Sequence, residues 1–294
     1  MAHVSSRIDA ATLDEVAQSL RHCKICPRDC GVDRTVSRHG AFCRLDDRAF
    51  VYRELLSVGE EAAISPTWLV DVGGCSMRCL FCSEWDHVVR PQQRPAVLLH
   101  AGWFLARLQE RRRQGARTLS FVGGDPTVSL PAILAVLAQV PDAAWLPVVW
   151  NCNGWLSEAA RRWLAPVVAT WLVDVKFGNP ACARRLAGID GERNQLELRE
   201  TLEFARHRGL MLRHLVLPGH LDCCTRPVLQ WLARDFAQVP LNVMGHYLPA
   251  GPARTGQLVA AELGRLLGSE DLPFAPAGPN RGEHNSKEHE RSPS

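Results

Sequence analysis

Several features are scarce in this chain, and each scarcity excludes something. No apolar run approaches the ~20 residues that a membrane-crossing helix requires. Residues Met1 to Leu20 lack the apolar core of a secretory signal. A dominant charge is also missing: 34 basic residues against 31 acidic ones leave a formal net charge of +3, too little to argue for a nucleic-acid partner. Together these absences point to a cytoplasmic protein with neither membrane nor nucleic-acid partners. Its eleven cysteines are then expected to be reduced ligands rather than disulfides. Residues 273–294 contain almost no large apolar side chains and are expected to form a disordered tail, in which His284 and His289 are too sparse to argue for a metal site.

What is present is a chain of 294 residues with 46% hydrophobic content, enough to bury a full core. The apolar run Thr67 to Val72 reads as a buried strand and ends in Gly73-Gly74. Directly behind it come Cys75, Cys79 and Cys82 at a spacing of C-x3-C-x2-C. Three thiols so close together can wrap one compact metal centre from a single loop. A [4Fe-4S] cubane takes four ligands, so three thiolates leave one iron open to a small molecule. Zinc with a distant fourth ligand is the other way to use the same three residues.

These residues resemble the loop of the radical S-adenosylmethionine (SAM) superfamily, C-x3-C-x-aromatic-C, with Phe81 at the aromatic position. The resemblance implies that the open iron binds SAM and that one-electron reduction cleaves it to methionine and a 5'-deoxyadenosyl radical. It also implies a one-electron donor such as flavodoxin or ferredoxin.

Upstream, Cys23, Cys26, Cys30 and Cys43 place four soft ligands within a short stretch, which suits tetrahedral zinc or a second iron-sulfur cluster. Thr12 to Glu15 reads as a capping box leading a short helix into this segment. From Pro66 onward strands and helices alternate. Strands are expected near 67–72, 118–122, 147–151, 170–176, 210–217 and 241–247. Helices are expected near 95–113, 130–139, 157–164, 194–208, 228–236 and 262–267. Such alternation implies right-handed βαβ units. The expected fold is therefore α/β, a partial (β/α)6 barrel over 61–272 preceded by a small cysteine-rich segment over 1–60.

The informative motifs fall at strand ends, where barrels carry their sites. Gly123-Gly124-Asp125 resembles the GGE motif that binds the SAM amino group, with aspartate in place of glutamate. Asn153-Gly154 and the Asp174-Val175-Lys176 segment resemble the TNG and DLK stretches of glycyl-radical-enzyme activases, where Lys176 would complement the SAM carboxylate. Arg213, followed by Val216-Leu217-Pro218-Gly219, resembles a further activase stretch, with His214 on the opposite strand face. His246 or Tyr247 stands where those enzymes approach the adenine and ribose. The implied cofactor-binding set is Phe81, Gly123, Gly124, Asp125, Asn153, Asp174, Lys176, Arg213 and Tyr247, and the combination looks most like pyruvate formate-lyase activating enzyme homologues.

Three functions follow. The chain is a radical SAM enzyme acting on a protein or peptide, one acting on a small metabolite, or a non-catalytic thiol-rich metal-binding or redox-sensing protein. Cys223 and Cys224 are vicinal, lack a metal-like spacing and are expected to be incidental or pocket-lining. Cys182 is expected to be a small buried side chain.

Overall fold

The computed structural model describes residues 5–253 except positions 60 and 94. The helix expected near 262–267 and the tail lie outside the described residues. Six parallel strands form the body of the sheet: β2 (Thr67–Val72), β4 (Thr118–Gly123), β5 (Val148–Cys152), β6 (Val168–Asp174), β7 (Leu210–Leu215) and β8 (Leu241–Met244). They are adjacent in that order, as successive right-handed crossovers require. This is the α/β partial barrel expected of the alternation.

The edge beyond β2 was not foreseen. β1 (Phe50–Ser57) pairs antiparallel with β2, and the two-residue β3 (Val97–Leu98) pairs antiparallel with β1. β1 falls inside residues 1–60 yet belongs to the sheet, because its buried residues share the core of β2. The apolar pair at 97–98 was expected to open a helix. Instead it closes the sheet edge after the short helix α2 (Trp85–Val89), and α3 (Ala101–Arg113) starts beyond it, where the His100 imidazole accepts from the Trp103 amide.

Helices α4 (Leu130–Leu137), α5 (Glu158–Leu164), α7 (Gly191–Ala205) and α8 (Arg226–Asp235) follow β4, β5, β6 and β7. Ser157 caps α5 as expected, accepting from the Ala160 amide at 3.3 Å. The N-terminal helix α1 (Ala10–Ser19) is capped one turn earlier than its sequence suggests: Asp9 accepts from the Thr12 amide, and Thr12 is already inside. Ahead of α7 lies a helix that the sequence reading missed, α6 (Pro180–Ala187). Asn179 caps it, Pro180 opens it, and Gly188 ends it at φ +61°. That pairing of proline at the start and glycine at the end was the available signal.

The main core lies between the sheet and these helices. Trp68, Phe104, Phe121, Trp150 and Trp171 are fully buried there, with Phe104 5.0 Å from Trp68 and 6.1 Å from Phe121. Large aromatic side chains remove much apolar surface per residue, which holds the helices against the strands. On the other face Ile64, Val149 and Leu172 form a small buried cluster inside the barrel. The carboxyl ends of the strands carry a mixture of glycines, polar residues and the apolar Leu215 and Met244. No helix among the described residues is long and apolar enough to cross a membrane.

Candidate functional site

A solvent-open cavity of about 220 Å³ lies at the carboxyl ends of the parallel strands. The loop after β2 brings Cys75, Cys79, Phe81 and Cys82 to it. β4 contributes Gly123 and Gly124, β5 Asn151 to Asn153, β6 Asp174 and Lys176, β7 Leu215 and β8 Met244. Three thiols and most of the strand-end motifs thus share one space.

Backbone contacts hold the thiol loop rigidly. The Arg78 and Leu80 amides donate to the Ala187 and Leu186 carbonyls at the end of α6, and the Gly74 amide donates to His87. Asn153 donates its side-chain amide to Ser76 Oγ at 3.1 Å, while its own Oδ1 accepts from the Trp155 amide at 2.9 Å. Burial pushes the Cys75 and Cys82 thiols up in pKa and Cys79 up to about 12, the last against a partial offset from Lys176. Left alone, these sulfurs hold their protons. A bound cation is what turns them into thiolates, and three soft donors from one loop fit an iron-sulfur cluster.

The two glycines at the end of β4 line the cavity and also press against the protein's own backbone. A Cβ on Gly124 would lie 2.0 Å from the Gly74 carbonyl oxygen, and one on Gly123, at φ +112°, would lie 2.5 Å from the Val72 backbone. The Asp125 amide donates to the Gly74 carbonyl at 2.9 Å. The close approach is therefore between two stretches of the protein's own backbone, β4 and the start of the thiol loop. Asp125 is 1% exposed and does not reach the cavity; its carboxylate accepts from the Thr127 and Asn153 amides, both at 2.9 Å. Aspartate is short enough to close that turn, which places the acid under the site as a brace.

Lys176 lines the cavity and is held by Asp174 at 2.7 Å. Burial opposes its charge, but the Asp174 carboxylate outweighs this, so its pKa is raised and it stays a cation. Arg213 is not at the cavity. It points into the barrel two residues below Leu215, where strand alternation puts it on the same face, and both ends of its guanidinium donate to Glu61 at 2.6 Å. Asn242 donates to the same carboxylate at 3.2 Å. The charge expected for a cofactor is thus neutralised within the barrel by a residue from the segment ahead of β2. Tyr247 packs, half-buried, against the apolar group that contains Cys79 and Phe177. His246 is exposed. His214, on the opposite face of β7, is structural as expected: its Nδ1 donates to the Val175 carbonyl at 2.7 Å, and Thr225 donates to its Nε2 at 3.0 Å.

The N-terminal cysteines also converge. Cys23, Cys26, Cys30 and Cys43 line one small pocket with Arg34. Arg34 is 2% exposed, donating to the Leu45, Asp46 and Val128 carbonyls and facing Cys23 Sγ at 3.6 Å. Burial works against this cation, and the Cys43 and Cys23 sulfurs more than compensate. The segment does not stand apart from the barrel. The guanidinium groups of Arg28 and Arg78 both lie over the Phe42 ring, 3.6 Å and 4.3 Å from its centroid. Arg28 donates to the Ser76 carbonyl at 2.8 Å, and a Cβ on Gly74 would meet the Cys43 carbonyl at 2.8 Å. The two cysteine sets therefore share a wall.

A second convergence went unforeseen. Cys182, His220, Cys223 and Cys224 come together with all their ligand atoms within 4.8 Å of one another. Cys182 is buried, as expected, and Cys223 and Cys224, expected to be incidental or pocket-lining, lie against it. The three share one polar cluster with an imidazole.

The radical SAM superfamily model matches residues 69–232, more than half of the chain and the stretch from β2 through β7 that supplies most of the cavity wall. An uncharacterised protein of Methanocaldococcus jannaschii is 31% identical over 250 residues, covering 82% of this chain and 70% of that one. The chain belongs to the radical SAM superfamily. Similar solved structures include Streptococcus suis SuiB bound to its precursor peptide SuiA, with 15% identity, a TM-score of 0.43 and coverage of 65% of this chain and 42% of that one. Another is anSMEcpe with bound AdoMet, at 14% identity, TM-score 0.44, 60% of this chain and 53% of that one. A third is the methyltransferase TsrM of Kitasatospora setae with tryptophan and a SAM analogue, at 14%, 0.48, 67% and 39%. The chain spans about half or less of the length of these structures. Membership in the superfamily implies a [4Fe-4S] cluster and SAM as cofactors, and Cys75, Cys79 and Cys82 are the residues present that fit the cluster.

Proposed function

We propose that the chain reductively cleaves SAM and uses the resulting 5'-deoxyadenosyl radical to take a hydrogen atom from a protein or peptide, in the manner of glycyl-radical-enzyme activases. The observation that carries this reading is that Cys75, Cys79 and Cys82 open on the same cavity as Asn153, Asp174 and Lys176, the residues that match activase segments. The three sulfurs hold the cluster. Asn153 steadies the loop that carries them, Asp125 braces Asn153 from below, and the Lys176 ammonium is the fixed cation on the cavity wall available to a carboxylate. Phe81, packed edge-on against Phe177 at 6.2 Å, and Tyr247 supply apolar surface for the adenosine part. A second metal centre, zinc or an auxiliary iron-sulfur cluster, occupies Cys23, Cys26, Cys30 and Cys43, and the protein works in the reducing cytoplasm.

The test is anaerobic reconstitution with iron and sulfide, followed by incubation with SAM and a one-electron donor of the flavodoxin or ferredoxin type. Release of 5'-deoxyadenosine establishes the cleavage, and its absence from iron-replete protein sinks it. Adding a candidate partner protein should produce an organic radical on that protein by electron paramagnetic resonance. Turnover stimulated by small-molecule extracts and not by proteins or peptides overturns the peptide reading in favour of a metabolite substrate.

A further inference from the structure

The loops after β6 and β7 hold three thiols and an imidazole that the proposed reaction does not use. Cys182 sits in the first turn of α6. His220, Cys223 and Cys224 come from the wide turn Leu221–Thr225 and the residue before it, where the Thr225 amide reaches back five residues to the His220 carbonyl at 3.1 Å. Such π-type turns are uncommon and concentrate at functional sites. Here the turn presents residues 220, 223 and 224 on one side.

The geometry is that of a single-ion site. Cys182 Sγ lies 3.7 Å from Cys223 Sγ, far beyond the ~2.05 Å of a disulfide. His220 Nδ1 lies 3.1 Å from Cys223 Sγ, 3.5 Å from Cys182 Sγ and 4.0 Å from Cys224 Sγ. Tetrahedral zinc, with bonds of about 2.3 Å to sulfur and about 2.0 Å to nitrogen, separates its ligands by about 3.8 Å between sulfurs and about 3.5 Å between sulfur and nitrogen. The sulfur–sulfur edge of 3.7 Å is close to the first value, and the three sulfur–nitrogen edges bracket the second. A cubane cluster would instead need each thiolate on a different iron, and so a wider set.

We propose that Cys182, His220 Nδ1, Cys223 and Cys224 form a closed Cys3His zinc site that ties the loop after β6 to the loop after β7. The surroundings suit it. Asn179 donates its amide to Cys182 Sγ at 3.3 Å and to the Cys223 carbonyl at 2.7 Å, and the Arg185 guanidinium lies 3.9 Å from Cys182 Sγ. Three thiolates around a dication leave one negative charge, which Arg185 offsets, and outer partners of this kind orient the ligands. Cys182, His220 and Cys224 are each 2% exposed or less. The two loops touch directly beside the site, where a Cβ on Gly178 would lie 2.5 Å from the Cys224 carbonyl. With four protein ligands and no open position the ion is structural. Its role is to hold the wall from Lys176 through Phe177 against the thiol loop, whatever molecule the radical attacks.

The test uses full-length protein, loaded with zinc and carrying its iron. In the Cys26→Ala/Cys30→Ala background, where the N-terminal set is dismantled, one zinc per chain should remain, and zinc-edge X-ray absorption should show three sulfurs and one nitrogen. Adding Cys223→Ser or His220→Ala should remove that zinc while the iron and sulfide of the Cys75 to Cys82 loop stay unchanged. Should a variant fail to fold, the same absorption measurement on the unsubstituted protein and on His22→Gln still decides, because a zinc-bound nitrogen that survives loss of His22, the imidazole beside the N-terminal set, is the one expected from His220, and its loss with His22 overturns the proposal. A zinc shell of sulfur alone, no bound zinc, or a Cys182 to Cys223 disulfide in the anaerobically isolated protein overturns the proposal.

Discussion

The thiol loop after β2 and the quartet across the loops after β6 and β7 are both cysteine-rich, buried and at the same end of the barrel, but they are built on opposite plans. Cys75, Cys79 and Cys82 lie within eight consecutive residues, so their convergence needs only one turn of backbone, and packing adds rigidity. Cys182 and Cys224 lie 42 residues apart and meet only because β6 and β7 are neighbours and α6 turns back over the rim. A contiguous set tolerates some distortion of the barrel, whereas a set drawn from two loops reports directly on how the strand ends are arranged. The loop's three ligands leave a position for a small molecule, while the quartet's four ligands close around an ion.

The comparison can be broken most decisively at the loop. Cys79→Ala should abolish 5'-deoxyadenosine formation and lower bound iron by about one cluster, because a cluster ligand is gone. Full SAM cleavage by that variant would remove the loop from the chemistry.

Gly124→Val ranks next and tests whether the glycine serves the ligand or the loop. With a Cβ 2.0 Å from the Gly74 carbonyl, the substitution should push the thiol loop off β4 and cost about 1–3 kcal/mol of stability, in the range of overpacking, with iron content falling as well. Denaturant unfolding and iron analysis read both. A variant with intact iron and weakened SAM binding alone would mean that the glycine faces the cofactor instead.

Lys176→Ala should keep the iron and weaken SAM by ~1.5–3 kcal/mol, the scale of hydrogen bonds to charged groups, or about 10- to 150-fold in affinity. Titration followed through the cluster's absorption checks it, and unchanged affinity would assign the Lys176–Asp174 pair to structure alone. Arg213→Ala sharpens the contrast from the other side. Because Glu61 neutralises it inside the barrel, the variant should lose about 1–3 kcal/mol of stability while its SAM affinity stays at the wild-type value. A large loss of affinity without loss of stability would return Arg213 to the cofactor site.

The smallest effect concerns His214, which ties the end of β6 to the turn that carries the quartet. Burial holds the His214 pKa below its ordinary value of 6.5, so protonation is easier in the unfolded chain than in the folded one. Its contribution to stability is therefore complete above about pH 6.5 and declines as the pH falls through the lower folded value. His214→Gln should show a shallower loss of stability between pH 7 and pH 5 than the parent in thermal unfolding. Parallel curves would exclude this residue as the source.

Some of this molecule was readable from the residues alone, for a definite physical reason. The thiol loop is local, so spacing and the preceding Gly73-Gly74 were enough. The six parallel strands announced themselves as short apolar runs alternating with helical patterns, and the loop, GGD, NG and DVK motifs could be placed at strand ends because a barrel puts its loops there. Tertiary structure decided what depends on which strands are neighbours and which side chains meet. It put β1 into the sheet through pairing with β2, gave Gly124 the Gly74 backbone as its close partner, and drew Asp125 under Asn153. It matched Arg213 with Glu61, a residue 152 positions away, and it gathered Cys182 with His220, Cys223 and Cys224. None of these pairings leaves a periodic or short-range mark in the sequence, because each is set by packing across the barrel, where the chain separation is long and the spatial separation is a single contact.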